Sequence, residues 1–261
     1  METNSGQDRV LVQITRPRQV DLDIVIFPGA GGGPGAFTGW SRLLPEGWRL
    51  AAVCLPAREH RADEDFADSI PAASRETVPA IASWRAEAVP VVYIGHSMGT
   101  WLALETALAC TPDLLVPVAC APRAGPLEYD APNMRALREI TYEHGRGLGI
   151  DAEILEEIVA RTATVMIGDI GMAAGYVPSP GRLSCDIVAY YATRDTVPCE
   201  PWSAYTSGRA ESVKVEGDHH FVKREPQAVI EDLRGKVRER FGAEPPARRR
   251  PRTGGPGGTH G

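Results

Sequence analysis

A serine lies at the centre of the stretch with the clearest chemical signature in this sequence. Ser97 is the middle residue of Gly-His-Ser-Met-Gly at 95–99, a G-x-S-x-G pattern. The apolar, β-branched run before it (91–94) predicts a buried strand, and the residues after it (100–109) favour a helix. A sharp strand-to-helix turn lifts a serine hydroxyl above the edge of a sheet, and the helix N-terminus there favours a developing oxyanion. The context therefore predicts a nucleophilic serine rather than an ordinary turn.

A serine nucleophile needs a base, and that base needs an acid to orient it. Asp195 follows an apolar run at 186–191, and His219 and His220 follow another at 212–216. Each candidate thus lies just beyond a predicted strand. The chain order Ser, Asp, His resembles that of the α/β-hydrolases. The spacing alone leaves both histidines open as the base.

A glycine-rich loop, Pro-Gly-Ala-Gly-Gly-Gly-Pro-Gly at 28–35, directly follows the apolar segment 21–27. A Walker-type phosphate loop would need a lysine and a hydroxyl residue that this loop lacks. Beside a serine nucleophile, the exposed N–H groups of such a loop form one half of an oxyanion hole. We therefore assign the two oxyanion donors to the N–H groups of Ala30 and Met98.

The elements that must position these residues alternate along the chain. Strands are expected at 10–15, 21–27, 48–55, 91–94, 114–120, 186–191 and 212–216. Helical spacing occurs at 65–86, 100–109 and 227–241, with Pro71 and Pro79 as breaks or first-turn positions. This alternation predicts an α/β fold with a mostly parallel, doubly wound sheet.

The pattern changes between 121 and 182, where no strand is expected and two helical segments occur, at 133–140 and from 150 onward. Helical insertions of this kind often form lids over active sites. The sequence thus predicts one domain at 1–241 with a helical lid insertion at 121–182. The Arg/Gly/Pro-rich tail at 242–261 has no core-forming pattern and is expected to be disordered.

Composition excludes several classes of function. The net charge of −6 argues against a nucleic-acid partner. No apolar run approaches the ~18 residues needed to span a membrane, and the N-terminus lacks an apolar signal core. The five cysteines are scattered and lack metal-ligand spacing, so we expect buried thiols in a reducing cytoplasm and no metal site.

Five segments together resemble the type II thioesterases of polyketide and nonribosomal peptide biosynthesis, which belong to the α/β-hydrolase superfamily. They are 27–32, 55–59, 95–99, 195–198 and 217–222. The likeness extends from about residue 21 to 241. The segment Leu-Pro-Ala-Arg-Glu at 55–59 is the most specific, because generic lipases lack it.

The resemblance implies a role for one histidine of the pair. In this family the catalytic histidine follows Gly-Gly or Gly-Asp, which identifies His219 as the base. His220 then occupies a position usually held by an aromatic residue. This sequence departs from the family pattern at two positions. Gly29 lies where the family usually has histidine, and Ala57 lies where it usually has glycine.

The function that the resemblance implies is hydrolysis of acyl groups from the phosphopantetheine arm of an acyl or peptidyl carrier protein, without a metal or dissociable cofactor. On the lid, Arg135, Arg138 and Arg146 are candidates to meet an acidic carrier surface. A small-molecule carboxylesterase, an acyltransferase or cyclase, and a catalytically silent binding protein remain alternatives, because one fold supports many functions.

Overall fold

The computed structural model of the protein describes residues 7–127 and 134–242. Its centre is a seven-stranded sheet with the strand order β1-β3-β2-β4-β5-β6-β7. The strands are β1 Leu11–Gln13, β2 Leu22–Phe27, β3 Trp48–Val53, β4 Val91–His96, β5 Leu114–Val118, β6 Asp186–Ala192 and β7 Ala210–Val215. Only β1 is antiparallel to its neighbour. The predicted mostly parallel sheet is thus confirmed.

Helices connect the strands. They are α1 Gln7–Val10, α2 Ile70–Trp84, α3 Gly99–Ala109, α4 Met134–Gly147, α5 Ala152–Ala173, α6 Phe221–Arg224 and α7 Gln227–Phe241. A long 3-10 helix, Pro34–Arg42, was not expected from the sequence. Pro71 lies in the first turn of α2, but Pro79 lies inside this helix and does not end it.

The two faces of the sheet bury different side chains of the same strand, because successive residues point to opposite sides. In β2, Val25 and Phe27 pack in a core with residues of α2 and α3. The alternate residues Ile24 and Ile26 pack in a second core with residues of α7. Burial on both faces explains why the central strands read as continuous apolar runs.

Parallel strands bring their carboxyl ends to one edge of the sheet, where ligands bind in open α/β folds. At this edge the glycine-rich loop follows β2, and Ser97 directly follows β4. Asp195 follows β6 and His219 follows β7, each within a few residues of the strand end. The topology therefore gathers all the sequence-predicted site residues at one edge.

The chain between β5 and β6 contains the two helices α4 and α5, and residues 128–133 of this segment lie outside the described part. Helix α5 begins close to the predicted start at 150 and ends at Ala173, and its last turn places Met172 and Ala173 in the core that also contains residues of α3. The described part of the segment predicted to be a lid thus contains two helices. Of the tail predicted to be disordered at 242–261, Gly242 caps the end of α7, and residues 243–261 lie outside the described part of the chain.

The cysteines differ in part from expectation. Cys54, Cys120 and Cys185 are buried, whereas Cys110 is partly buried and Cys199 is exposed. The prediction of buried thiols is therefore wrong for Cys199, which lies in the irregular segment after β6, where no apolar pattern draws a side chain inward. Among the described helices, none combines the length and hydropathy required to traverse a bilayer.

Candidate active site

The turn after β4 holds Ser97 in a strained backbone conformation. Its φ is +52°, in the left-handed region that costs an L-residue roughly 1–2 kcal/mol. The Ser97 N–H donates to the carbonyl of Val118 on the neighbouring strand at 2.8 Å. Sheet and helix together thus fix the turn and leave the serine partly exposed above the edge of the sheet.

The two glycines of the motif are required by close backbone contacts. A Cβ at Gly95 would lie 2.4 Å from the Cα of Thr100, and one at Gly99 would lie 2.1 Å from the carbonyl oxygen of Phe27. Both distances are far below van der Waals contact with main-chain atoms that cannot move independently. The pattern is therefore a steric requirement of this turn, as its sequence context predicted.

His219 and Asp195 are hydrogen-bonded partners. The His219 Nδ1 lies 2.8 Å from the Asp195 Oδ2, and the Asp195 side chain is 4% exposed against 34% for His219. Burial alone would raise the pKa of Asp195, but the hydrogen bond and charge of His219 outweigh burial and lower it. The ionised carboxylate accepts a hydrogen bond from the Nδ1–H, which leaves the His219 Nε2 available as a base.

Ser97 and His219 line one cavity of about 670 Å³. Trp101, Cys120 and Val197 contribute apolar wall, and Arg123 and Glu200 are charged lining residues. A volume of this size is typical of a small-molecule site. The structure thus brings three of the sequence-predicted residues together. Ser97 and His219 line the same cavity, and Asp195 lies behind the imidazole of His219.

The predicted oxyanion donors border the same turn. A Cβ at Gly29 would lie 3.3 Å from the Cβ of Ser97, so the glycine-rich loop passes directly beside the serine. Within the described residues, the N–H groups of Ala30 and Met98 have no hydrogen-bond acceptor. Met98 also precedes the first turn of α3, where the helix dipole favours negative charge. Two free donors next to the serine match the requirement for an oxyanion hole.

His96 is a site residue whose role the sequence reasoning missed. Its Nε2 lies 2.9 Å from the carbonyl oxygen of His219. Burial first, and then the nearby charge of Lys223, lowers the pKa of His96 well below its ordinary range. A neutral ring facing a carbonyl carries its proton on Nε2 and donates it. His96 thus anchors the backbone of His219, and only its place inside the serine motif hinted at this contact.

Gly29 gives a physical reason for the first departure from the resembled family. A Cβ at this position would lie 2.8 Å from the Nδ1 of His96, and that nitrogen is buried without a partner in the described residues. A side chain at position 29 would therefore have to displace the buried His96 ring. The absence of a side chain leaves the backbone of the loop free to pass beside Ser97.

His220 differs from its neighbour in both contacts and titration. Its Nδ1 is buried and lacks a partner among the described residues, and Asp195 contacts His219 instead. Burial is the largest cause that lowers the pKa of His220, to about 4, and the charges of Lys223, His219 and Arg224 lower it further. The charge of Asp218 raises this pKa but does not outweigh the other effects. His220 is thus held neutral in the folded protein at neutral pH.

The depressed pKa of His220 makes the stability depend on pH. Between pH 6.5 and 4 the unfolded chain binds a proton here that the folded chain excludes, so the free energy of unfolding falls as the pH falls. We expect His220→Phe to reduce this acid loss by about 1–3 kcal/mol at pH 4.5. Urea unfolding of both proteins at pH 7.5 and pH 4.5 measures the difference, and equal acid losses in both proteins would contradict it.

One described group offers ligand atoms for a metal, although no metal is expected. Atoms of Cys54, Glu59 and His60 lie within 4.8 Å of one another. Burial, and then Glu59, raises the pKa of the Cys54 thiol to about 11, and metals bind the thiolate form. Glu59 already accepts a hydrogen bond from Gly35, and the Nε2 of His60 contacts the carbonyl of Arg9. The group therefore favours structural contacts over a metal site.

The arginines considered for carrier docking are engaged within the insertion. Arg135 pairs with Glu139 at 2.9 Å, and Arg138 pairs with Glu156 at 2.8 Å. Arg146 lies over the ring of Tyr142. Local pairing reduces the positive field that an acidic surface would meet. These three residues are thus typical of a solvated helix face with balanced charge.

Comparison with known proteins identifies the relatives of this chain. A family model of the thioesterase domain matches residues 23–237. The medium-chain S-acyl fatty acid synthase thioesterase of Rattus norvegicus is 26% identical over 219 residues, which cover 76% of this chain and 81% of that protein.

Solved structures with this fold include two thioesterases of biosynthetic pathways. RedJ, from the prodiginine pathway of Streptomyces coelicolor, matches with a TM-score of 0.69 at 26% identity, covering 84% of this chain and 93% of RedJ. The type II thioesterase BorB from the borrelidin biosynthetic cluster matches in fold with a TM-score of 0.69 at 21% identity, covering 88% and 98%. The resemblance drawn from the motifs is confirmed by these matches. Because the family model covers more than half of the chain, this protein belongs to the thioesterase domain family and is a thioester hydrolase.

Proposed function

We propose that this protein is a type II thioesterase that removes acyl groups from the phosphopantetheine arm of carrier proteins in polyketide or nonribosomal peptide synthesis. One observation carries the catalytic part of the proposal: Ser97, in a strained turn, shares a cavity with His219, whose Nδ1 lies 2.8 Å from Asp195. The pathway is supported by the likeness to RedJ, a thioesterase from the prodiginine biosynthetic pathway.

In the acylation step, the Ser97 Oγ attacks the thioester carbonyl carbon while its proton passes to the His219 Nε2. The negative charge that forms on the carbonyl oxygen is held by the N–H groups of Ala30 and Met98. The carbon–sulfur bond then breaks, and the proton on His219 passes to the departing sulfur. Asp195 keeps the imidazole in the required tautomer and stabilises its transient positive charge.

In the deacylation step, a water molecule attacks the acyl-serine carbonyl and gives a proton to His219. The same two N–H groups hold the second oxyanion. The bond between the acyl carbon and the Ser97 Oγ breaks, and the proton on His219 returns to that oxygen. The products are a free carboxylic acid and the regenerated enzyme.

The apolar part of the cavity wall suits an acyl chain. Trp101, Cys120 and Leu127 are buried and line the cavity together with Val197. We assign the helices α4 and α5 to a lid within a single thioesterase domain at 1–241, since their chain segment leaves β5 at the edge where Ser97 lies and Asp169 of α5 binds the glycine-rich loop at Gly31.

Carrier recognition predicts a measurable substrate preference. A pantetheine arm fixed to a protein makes contacts remote from the reacting carbon, and such contacts raise kcat/KM and are lost on truncation. We expect an acyl-carrier protein to have a kcat/KM at least about tenfold above that of the matching acyl-coenzyme A, which requires only ~1.4 kcal/mol of added contact. The measurement compares an acetyl and an octanoyl group on carrier protein, coenzyme A and p-nitrophenol.

Each outcome of this comparison distinguishes a class of enzyme. Ser97→Ala provides the background rate for each substrate. Equal constants for the carrier and coenzyme A, or a preference for the p-nitrophenyl ester, would favour a small-molecule carboxylesterase. Product captured as an ester or amide of an added alcohol or amine, in place of free acid, would favour an acyltransferase or cyclase.

A further inference from the structure

The insertion contacts the glycine-rich loop through a buried ion pair. Asp169 on α5 and Arg58 after β3 lie 111 residues apart in the chain, and their side chains are 2% and 6% exposed. The Arg58 Nη1 donates to the Asp169 Oδ2 at 2.8 Å, and its Nη2 donates to the Oδ1. The guanidinium and carboxylate thus meet in the bidentate geometry that fixes both planes.

Both members of the pair also bind the backbone of the loop. The Asp169 Oδ2 accepts the N–H of Gly31 at 2.8 Å, and the Arg58 Nη1 donates to the carbonyl of Gly32 at 2.8 Å. The Gly32 N–H in turn donates to the carbonyl of Gly29 at 2.9 Å, which closes a tight turn. Ala30, the proposed oxyanion donor, lies inside that turn. The ion pair therefore fixes the turn from which the Ala30 N–H projects.

The chain around Arg58 is bent to direct this side chain inward. The residues on either side of it, Ala57 and Glu59, have φ values of +64° and +45°. This left-handed region favours glycine, which explains why the resembled family usually has glycine at position 57. The Glu59 Oε1 accepts the N–H of Gly35 at 3.0 Å and so holds the far end of the same loop.

Stability alone does not account for a pair of this kind. Removing two charges from water is costly, and apolar replacements of similar volume are often neutral or stabilising. An apolar pair cannot form the hydrogen bonds that the carboxylate and the guanidinium make to the N–H of Gly31 and the carbonyl of Gly32. The geometry favours a role in placing the loop.

We infer that Arg58 and Asp169 are positioning residues that hold the Ala30 N–H in the oxyanion hole and make this placement depend on α5 being docked. The inference rests on the proposed function, since it assigns the pair a task at that catalytic site. When α5 is in place, Asp169 completes the turn. When α5 shifts, the loop loses its Gly31 contact and the oxyanion loses one donor.

The test is the double variant Arg58→Met with Asp169→Leu, which removes both charges and leaves no buried charge unpaired. We expect kcat for thioester hydrolysis to fall about 10- to 100-fold, since loss of one oxyanion donor costs about 10²–10³. KM should change less than about threefold, because neither substituted residue lines the cavity that contains Ser97. The kcat effect is thus separated from binding.

A matched control is a second buried ion pair, Arg49 with Asp23, at the opposite end of the strands. The Arg49 Nε lies 2.7 Å from the Asp23 Oδ1, with side chains 16% and 0% exposed. Arg49→Met with Asp23→Leu should change kcat less than about twofold. A purely structural role of the Arg58 pair would instead make kcat follow thermal stability in both double variants.

Three results are decisive. A selective fall in kcat for the Arg58 and Asp169 double variant supports the inference. Unchanged kcat in that variant, or equal falls in both double variants, would overturn it while Ser97-dependent hydrolysis still stands. Hydrolysis that survives Ser97→Ala would instead overturn the proposed function itself.

Discussion

Replacing Ser97 with alanine is expected to lower kcat for thioester hydrolysis by roughly 10³- to 10⁶-fold and to abolish covalent labelling by a fluorophosphonate probe. The reason is that the variant retains the cavity and both backbone donors but has no oxygen to form the acyl intermediate. Stability should change little, since the left-handed φ of +52° is equally strained for alanine and serine.

The control for this experiment is Ser41→Ala. Ser41 is exposed and lies in the 3-10 helix Pro34–Arg42, which packs in the same core as residues of α7. Its hydroxyl donates to the carbonyl of Thr38. This variant should be labelled and should hydrolyse thioesters like the original protein. Undiminished labelling of the Ser97→Ala protein would remove this residue from the mechanism.

The adjacent histidines are expected to respond very differently to substitution. His219→Ala should lose activity by several orders of magnitude, because its Nδ1 contacts Asp195 at 2.8 Å and its ring lines the cavity with Ser97. His220→Ala should keep a substantial fraction of kcat, since no described contact links this ring to Asp195.

Steady-state kinetics and thermal melting of both variants measure this difference. Both residues lie directly before the short helix α6, where a substitution also affects folding. Melting therefore distinguishes a catalytic loss from a folding loss. The opposite order of activities would mean that the base is one residue further along, and that the hydrogen bond between His219 and Asp195 has no catalytic role.

Local sequence determined the strands and the serine turn of this protein. Apolar runs predicted the central strands β2 to β6, since burial on both faces requires them, and the ends of most runs lie within a few residues of the observed strand ends. The glycines at 95 and 99 predicted the turn, because only a residue without a side chain fits against neighbouring main chain. Strand burial and the steric requirement for glycine each depend on a few neighbouring residues, and both can therefore be predicted from the sequence.

Helix α2 shows where local rules fail. Pro79 was expected to break or begin a helix, because proline lacks an N–H and crowds the preceding turn. In the structure α2 continues through it to Trp84, with Ile70, Ala80 and Ile81 buried in the core shared with α3. Burial on both sides of Pro79 outweighs its local cost, and only the packed structure supplies that burial.

Only the tertiary structure decided which distant groups meet at the site. His96 binds the carbonyl of His219, 123 residues away, and Asp169 binds Arg58 and the N–H of Gly31. Local motifs contain His96 and Arg58 but do not pair them with His219 and Asp169, because a hydrogen bond between remote segments depends on how the sheet and the insertion pack. The sequence alone thus determined which groups could do chemistry, whereas the fold determined which groups hold them in place.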